Sequence, residues 1–358
     1  MHTLAWFLLC LLLTTNVLLA QKNKNKTKDK TTTTSKDTTQ AFAPLAIAGQ
    51  PLKPEVLKEQ RVFNTLKQAL QKPDSVFILD FPPACCKTFP KEIAQLRYLQ
   101  ILVIGSTYLT SVAPEVGTLK NLQILDLRNN ELTDLPAELE NNKILEQINL
   151  ESNRFTTIPA VLFKLPNLKS LNLKMNRFRQ IPASIGGLIQ LEQLNLSGNL
   201  LMQLPSEIAN LTKLKSLILQ FNRLAKFPEV IFSLKNLEEL DLTYNGISTI
   251  PSQIASLVNL KILNLQRNKL TNLPTEFAQL KGLKQLNLAE NLFTNIPIEI
   301  STLPDLEVID LSNNKLTSVP VQLSQLKKLK ELNLKGNNFS PDEINKVKNL
   351  LKNVNVSF

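Results

Sequence analysis

The stretch LKILNLQRNKL, residues 260–270, contains the spacing of leucine and asparagine that decides how this chain folds. The same spacing occurs in LQILDLRNNEL (122–132) and LEQLNLSGNLL (191–201). One asparagine recurs strictly every 23 residues, at Asn130, Asn153, Asn176, Asn199, Asn222, Asn245, Asn268, Asn291, Asn314 and Asn337. Twelve units of 23 residues therefore span 76–351, and the first two units carry Ala84 and Thr107 in place of asparagine.

Each unit predicts one short strand followed by a turn. Leu125 and Leu127 alternate with period two, as a strand requires. A single unit cannot bury its own leucines, so successive strands are expected to stack as a parallel sheet. The periodic asparagine is expected to bond backbone groups of the turn. Pro136 and its equivalents suit the first turn of a short helix or an extended segment. Further apolar residues are expected to close the outer side of the core: Leu139, Leu162, Ile185, Ile208, Ile231, Ile254, Phe277, Ile300 and Leu323.

This pattern resembles the leucine-rich repeat family, in the 23-residue class whose second half reads LPxxIxxLxx. That class is found in bacterial repeat proteins, Ras-binding scaffold proteins and plant intracellular repeat proteins. The resemblance implies an α/β solenoid shaped like a horseshoe, with about twelve repeats. It also implies a parallel β-sheet on the concave face, short helices or 3-10 turns on the convex face, and protein partners bound on the concave face.

The two ends of the repeat array (76–339) need covers, because a solenoid otherwise exposes its core. Residues 340–358 predict a capping helix and a closing strand, with Ser340 as the N-cap of the helix. At the other end, residues 41–75 predict a lead-in and a capping helix over 63–73, followed by a strand at 76–81. Asn142 replaces an apolar residue of other units, so that unit is expected to pack more loosely.

The amino-terminal region predicts export. Residues 4–20 are an apolar run without charge, so residues 1–20 are interpreted as a cleaved signal peptide. The alternative is an uncleaved membrane anchor, which would be the only contact with a membrane. Residues 21–40 contain six Lys and seven Thr without an apolar residue and predict a disordered linker. These features favour a secreted, periplasmic or cell-surface protein, expected to be a monomer.

The composition argues against catalysis. The only histidine of the chain, His2, lies inside the apolar leader, so no catalytic residue, metal site or cofactor is predicted. Asp80, Asp126, Asp241 and Asp310 share one strand position but lie two or more units apart, so they are not expected to pair as catalytic carboxylates. Cys86 falls on a core position beside Cys85, and it is expected to be buried and inert. The net charge of +11 shrinks to +7 once the linker's +4 is removed, which does not indicate nucleic acid.

Unusual residues of the concave face form the candidate binding site. Because equivalent positions of neighbouring units form rows, Phe221, Tyr244 and Arg267 are expected to be neighbours. The other candidates lie close to that row: Met175, separated from it by a shallow gap at Gly198, and Ile218 and Gln220 on the strand before Phe221. Exposed aromatic residues with Arg and Met are typical of interface hot spots. The alternative is that these side chains only pack on one another.

These observations predict a non-catalytic module that binds an unidentified protein on its concave face. Two alternatives stay open. One is a membrane-anchored surface or adhesive structural protein, and the other is an intracellular signalling scaffold resembling the Ras-binding members of the family.

Overall fold

The structure, a computed structural model, describes residues 51–358 and folds the chain within them into one sheet of fourteen parallel strands that follow the chain order. The predicted signal peptide, linker and first part of the lead-in (1–50) lie outside the described residues. The strands are β1 Val62–Phe63, β2 Ile78–Asp80, β3 Ile101–Val103, β4 Ile124–Asp126, β5 Gln147–Asn149, β6 Ser170–Asn172, β7 Gln193–Asn195, β8 Ser216–Ile218, β9 Glu239–Asp241, β10 Ile262–Asn264, β11 Gln285–Asn287, β12 Val308–Asp310, β13 Glu331–Asn333 and β14 Asn355–Ser357.

The register of the sheet follows the sequence period. From β2 to β13 each residue pairs with the residue one unit away, as Leu217 does with Leu194 and Leu240. The middle residue of each strand from β2 to β13 is buried in the core, which is continuous from the first unit to the last. The first and third residues point to the opposite side, which we call the open face of the sheet.

Short 3-10 helices return the chain from one strand to the next. The apolar residues expected to close the core lie in these helices and are almost completely buried; Leu139 and Phe277 are examples. The helices span Pro73–Ser75, Lys91–Gln95, Pro114–Thr118, Ala137–Asn141, Ala160–Lys164, Ala183–Gly187, Ser206–Asn210, Glu229–Ser233, Ser252–Ser256, Thr275–Gln279, Ile298–Thr302 and Val321–Gln325. A 3-10 helix suits so short a connection, because it forms its hydrogen bonds within few residues.

The periodic asparagines bind each unit to its neighbour, as the sequence predicts. The Nδ2 group of Asn222 donates to the carbonyl oxygens of Leu196 (3.0 Å), Leu219 (3.0 Å) and Gln220 (3.2 Å). Its Oδ1 atom accepts from the Leu201 N–H (3.0 Å). Leu196 and Leu201 belong to the preceding unit, so each asparagine satisfies buried backbone groups of two units.

The expectation of loose packing at Asn142 is wrong. Asn142 is completely buried, and its Nδ2 group donates to the carbonyl oxygens of Leu119 (2.8 Å) and Val116 (3.1 Å) in the preceding unit. The side chain therefore connects two 3-10 helices by hydrogen bonds where other units use apolar contact. Its Oδ1 atom is buried without a hydrogen-bond partner, which makes the position costly but not loose.

The carboxyl-terminal end is closed by a helix and a strand. Two short helices lie at the amino-terminal end, α1 at Pro54–Leu57 and α2 at Leu66–Ala69. Helix α3 spans Pro341–Leu350, and the Ser340 side chain accepts from the Glu343 N–H at 3.2 Å. Val347 and Leu351 are buried against the last unit. Strand β14 then pairs with β13, and Phe358 meets Phe339 edge to face with ring centroids 5.7 Å apart.

The helix predicted over 63–73 is much shorter than expected. Phe63 belongs to β1, which pairs with β2, and helix α2 covers only Leu66–Ala69. The physical reason is that Phe63 is buried against the first unit, so extending the sheet uses this residue better than an exposed helix would. The predicted strand at 76–81 is likewise reduced to β2.

An amino-terminal segment covers part of the open face. Helix α1 spans Pro54–Leu57, and Leu52 and Leu57 are buried against Ile78, Ile101 and Ile124. These three isoleucines are the first residues of β2, β3 and β4. The segment therefore shields an apolar start of the open face and leaves the later units uncovered.

Cys85 and Cys86 form a disulfide bond with each other. Cys85 is exposed and Cys86 is half-buried, so the expectation of a buried, inert Cys86 is wrong. A bond between adjacent residues closes no chain loop, and the core consequently does not depend on it.

Candidate functional site

The structure brings Phe221, Tyr244 and Arg267 into one contact. The rings of Phe221 and Tyr244 stack with centroids 4.9 Å apart and an interplanar angle of 29°. The Arg267 guanidinium lies 4.7 Å from the centroid of the Tyr244 ring, as a cation–π contact requires. The Arg267 Nε atom also lies 2.9 Å from the Glu290 carboxylate, which holds the guanidinium in place.

Met175 extends this row. A Cβ atom built on Gly198 would lie only 2.6 Å from the Met175 sulfur, so the Met175 side chain lies across the glycine. The shallow gap expected at Gly198 is therefore filled. Met175 is 54% exposed, Phe221 48% and Tyr244 46%, although all are large apolar or aromatic residues. We call Met175, Phe221, Tyr244 and Arg267 the aromatic ridge.

Every residue of this row has a left-handed backbone. The φ angle is 55° at Met175, 52° at Phe221, 53° at Tyr244 and 59° at Arg267. The row precedes the periodic asparagines, where the chain turns away from the sheet. Other units place residues that tolerate this geometry here, among them Asn129, Gly198, Asn313 and Gly336. A residue with a bulky side chain is strained by about 1–2 kcal/mol in the same conformation.

Ile218 interrupts a second hydrogen-bond ladder on the open face. In nine other units an Asn or Asp stands at this position and its Oδ1 atom accepts from the N–H two residues later, as in Ser197 N–H to Asn195 (3.0 Å) and Thr243 N–H to Asp241 (2.9 Å). Ile218 lies between Asn195 and Asp241 in the sheet and offers the Gln220 N–H no acceptor. The Gln220 side chain donates instead to the Asp241 carboxylate.

Asp80 and Asp126 interact despite lying two units apart. Burial raises the pKa of Asp80 to about 6, the Asp126 carboxylate adds to the rise, and the Arg128 guanidinium opposes it. Burial also raises the pKa of Asp126, against the effect of Arg128, whose Nη2 atom lies 3.0 Å from the carboxylate. The two carboxylates influence each other's charge across two units because both lie in a poorly solvated part of the open face.

The described part of the chain contains no group of three or more His, Cys, Asp or Glu side chains that could hold a metal ion. Among residues 51–358, no helix is long and apolar enough to cross a membrane.

Comparison with known proteins identifies the repeat. The family model described as leucine rich repeat matches residues 97–155, 144–201, 212–270 and 281–339. The chain belongs to the leucine-rich repeat family. Comparison of this leucine-rich repeat protein with curated proteins gives no match.

Solved structures share the architecture of this leucine-rich repeat protein. A leucine-rich repeat protein of Leptospira interrogans is 31% identical over 84% of this chain and 100% of its own length, with a TM-score of 0.53. An internalin of Listeria monocytogenes is 23% identical over 74% of this chain and 78% of its own, with a TM-score of 0.65. The plant peptide hormone receptor RGFR1, solved in complex with RGF2, is 24% identical over 81% of this chain and 54% of its own, with a TM-score of 0.59. The last two likenesses concern the fold alone.

Proposed function

We propose that this protein is a non-catalytic binding module that holds a protein partner on the open, concave face of its sheet, with the aromatic ridge at the centre of the contact. The observation that carries the proposal is the combination of exposure and strain in one row. Phe221 and Tyr244 are about half exposed, and both have positive φ angles. Neither burial nor backbone preference accounts for aromatic residues at these two positions.

The conformational strain at Phe221 and Tyr244 supports a role for these residues other than stabilising the fold. Asn or Gly at the same positions would relieve strain of about 1–2 kcal/mol per residue. An aromatic stack contributes about 0.5–1.5 kcal/mol, which offsets only part of the strain of its two members. Strained residues that the fold does not need are concentrated at binding sites, where their side chains are required.

Ile218 and Gln220 extend the proposed contact onto the sheet. Ile218 replaces a residue that would complete the hydrogen-bond ladder, and it widens the apolar surface beside Phe221. The family also supports this assignment, since leucine-rich repeat domains are typically protein-interaction modules. The plant peptide hormone receptor RGFR1, which shares this fold, was solved in complex with RGF2.

The proposed location is outside the cytoplasm, as a monomer that is secreted or held at the cell envelope. The apolar run at residues 4–20 supports export, with cleavage near Ala20. Mass spectrometry of the mature amino terminus tests this part. A chain that begins at Gln21 supports it, and a chain that retains residues 1–20 would favour the membrane-anchored alternative.

Affinity capture with full-length protein tests the binding site. The variant Ile218→Asn/Phe221→Ser is compared with wild type and with Ile189→Asn/Val258→Ser, which removes two other apolar residues that are 55% and 58% exposed. We expect the first variant to lose the captured partner without a fall in its melting temperature, and the second to retain the partner. Retention by the first variant, or a sharp fall in its melting temperature, would instead support packing of the ridge on itself.

A further inference from the structure

A strip of unpaired basic residues lies beside the aromatic ridge. Arg177, Arg179, Arg223, Lys226 and Lys269 are all exposed. Within residues 51–358 none of the five side chains forms an ion pair. We call these five residues the basic flank.

The lack of partners on the flank contrasts with the rest of the repeat array. Elsewhere Lys and Glu stand one unit apart and pair, as in Lys169–Glu146 (2.8 Å), Lys215–Glu192 (2.7 Å) and Lys261–Glu238 (2.8 Å). On the flank, the five segments 174–180, 197–203, 220–226, 243–249 and 266–272 contain no acidic residue. The repeat thus places a carboxylate opposite many basic residues but leaves this strip with unbalanced positive charge.

The flank and the ridge form one continuous surface. Arg223 follows Phe221 by two residues, with the buried Asn222 between them, and Arg177 stands in the same relation to Met175. The backbone at Arg177 and Arg223 is hydrogen-bonded to the preceding unit, with N–H to carbonyl distances of 2.9 and 2.8 Å. Equivalent residues of neighbouring units lie about 4.8 Å apart, so the flank follows the ridge along its length.

The opposite side of the ridge carries a carboxylate. Glu239 is half-buried on the open face at β9 and pairs with Ser216 of β8, whereas Asp241 of the same strand is buried. A broad anionic surface, such as a bilayer or a nucleic-acid duplex, would meet Glu239 when it covered the ridge. A narrow ligand can contact the ridge and the flank while avoiding Glu239.

We propose that the partner held by the ridge is an acidic polypeptide segment, whose apolar side chains lie on Phe221 and Tyr244 and whose carboxylates bind the basic flank. This inference rests on the proposed function and adds the chemistry of the partner. Arginine is well suited to the task, because its guanidinium binds a carboxylate through two parallel hydrogen bonds.

Binding of a defined probe to full-length protein tests the charge requirement. The probe is a fluorescent peptide with blocked ends in which glutamate alternates with leucine, compared with the same peptide carrying glutamine for glutamate. We expect the acidic peptide to bind more tightly and to weaken as salt is added. Equal binding of the two peptides would overturn the inference, and so would binding only to phosphatidylserine vesicles or a DNA oligonucleotide.

A matched pair of variants locates the contact. Arg177→Gln/Arg179→Gln/Arg223→Gln is expected to lower affinity for the acidic peptide about tenfold or more. Lys281→Gln/Lys327→Gln/Lys348→Gln removes the same charge from exposed sites elsewhere and is expected to change affinity by less than about twofold. Equal losses in both variants would mean attraction to net charge alone and would overturn the proposed site. Melting curves confirm that each variant is folded, and the single variants Arg177→Gln and Arg223→Gln replace the triple variant if it melts early.

The partner captured by wild-type protein separates this inference from the proposed function. Loss of that partner in the ridge variant and its retention in the flank variant would refute the acidic partner but leave the binding site intact. Retention of the partner in the ridge variant would refute the proposed function itself.

Discussion

Phe221 stacks on Tyr244 at 4.9 Å although the backbone of both residues is left-handed, with φ angles of 52° and 53°. The stack and the strain are coupled, since the same turn that imposes the positive φ also directs both rings along the row. An aromatic contact of about 0.5–1.5 kcal/mol therefore offsets part of a backbone cost of about 1–2 kcal/mol per residue. This balance makes the ridge replaceable without loss of the fold.

Glycine and alanine at position 221 should isolate the backbone strain. Both Phe221→Gly and Phe221→Ala remove the ring, but only alanine keeps a side chain at positive φ. We expect the glycine variant to be more stable by about 1 kcal/mol in urea unfolding. The same two substitutions at Gln220, whose φ is not positive, should give the reverse order. Glycine less stable than alanine at both positions would contradict the left-handed turn.

Restoring the interrupted ladder should stabilise the protein. Ile218→Asn provides an acceptor for the Gln220 N–H, and we expect the free energy of unfolding to rise by about 1 kcal/mol. The converse change in the adjacent strand, Asn195→Ile, removes the acceptor of the Ser197 N–H (3.0 Å) and should lower it by about 1–2 kcal/mol. A destabilising effect of Ile218→Asn would show that Ile218 contributes more by packing than the ladder does by hydrogen bonding.

Removing one periodic asparagine should be severe. Asn222→Ala leaves the buried Leu201 N–H without its acceptor and removes one of the two donors from each of the carbonyl oxygens of Leu196, Leu219 and Gln220. We expect a loss of about 2–4 kcal/mol in the free energy of unfolding, measured by denaturant titration. The exposed Asn272→Ala is the control and should change stability by less than about 0.5 kcal/mol. Similar small effects at both positions would refute the structural role of the asparagine ladder.

The raised pKa of Asp80 predicts that the stability of the protein falls as pH rises. Its pKa lies at about 6, against an ordinary value of 3.8, so the folded state binds more protons than the unfolded state between these values. Stability from this group is therefore lost as pH rises through that window, and the whole cost is present at about pH 7. Asp80→Asn should be more stable than wild type by about 1 kcal/mol at about pH 7, allowing for partial solvent screening.

The decisive measurement for Asp80 is how the stability difference between Asp80→Asn and wild type changes with pH. Urea unfolding of wild type and Asp80→Asn at about pH 3.5 and about pH 7 should show the gain shrinking toward zero at the lower pH, where Asp80 is protonated in the folded state and mostly protonated in the unfolded state. A gain that is the same at both values would mean that charge at Asp80 has no part in it.

The amino-terminal segment that packs on the open face should unfold locally while the repeat array stays folded. Leu57→Ser removes a buried contact with the open face at β2 to β4 and should cost about 2–3 kcal/mol locally. Hydrogen exchange should show faster exchange in residues 52–63 with little change in the central units, since each repeat contacts mainly its neighbours. Lys58→Ser, at an exposed neighbour, is the control. Faster exchange throughout the chain would contradict an independent cover.

The 23-residue period determined most of the fold and the adjacency within the site. Because equivalent positions form rows in a parallel sheet, spacing alone placed Phe221, Tyr244 and Arg267 together. The buried leucines and the hydrogen-bonding asparagines followed from the same repetition, since each unit meets an almost identical neighbour. For such local, repeated contacts the sequence pattern is sufficient.

Other features depended on where non-equivalent residues meet. The positive φ of the ridge arises from the turn after each strand, and Phe221 and Tyr244 carry no sequence signal for it. The buried hydrogen bonds of Asn142 require two facing carbonyl groups of the preceding unit. Met175 over Gly198 and Leu57 over the open face are contacts outside the strict repeat. Only the tertiary structure decides such contacts, because their energies depend on side-chain direction and burial, which a one-dimensional period does not specify.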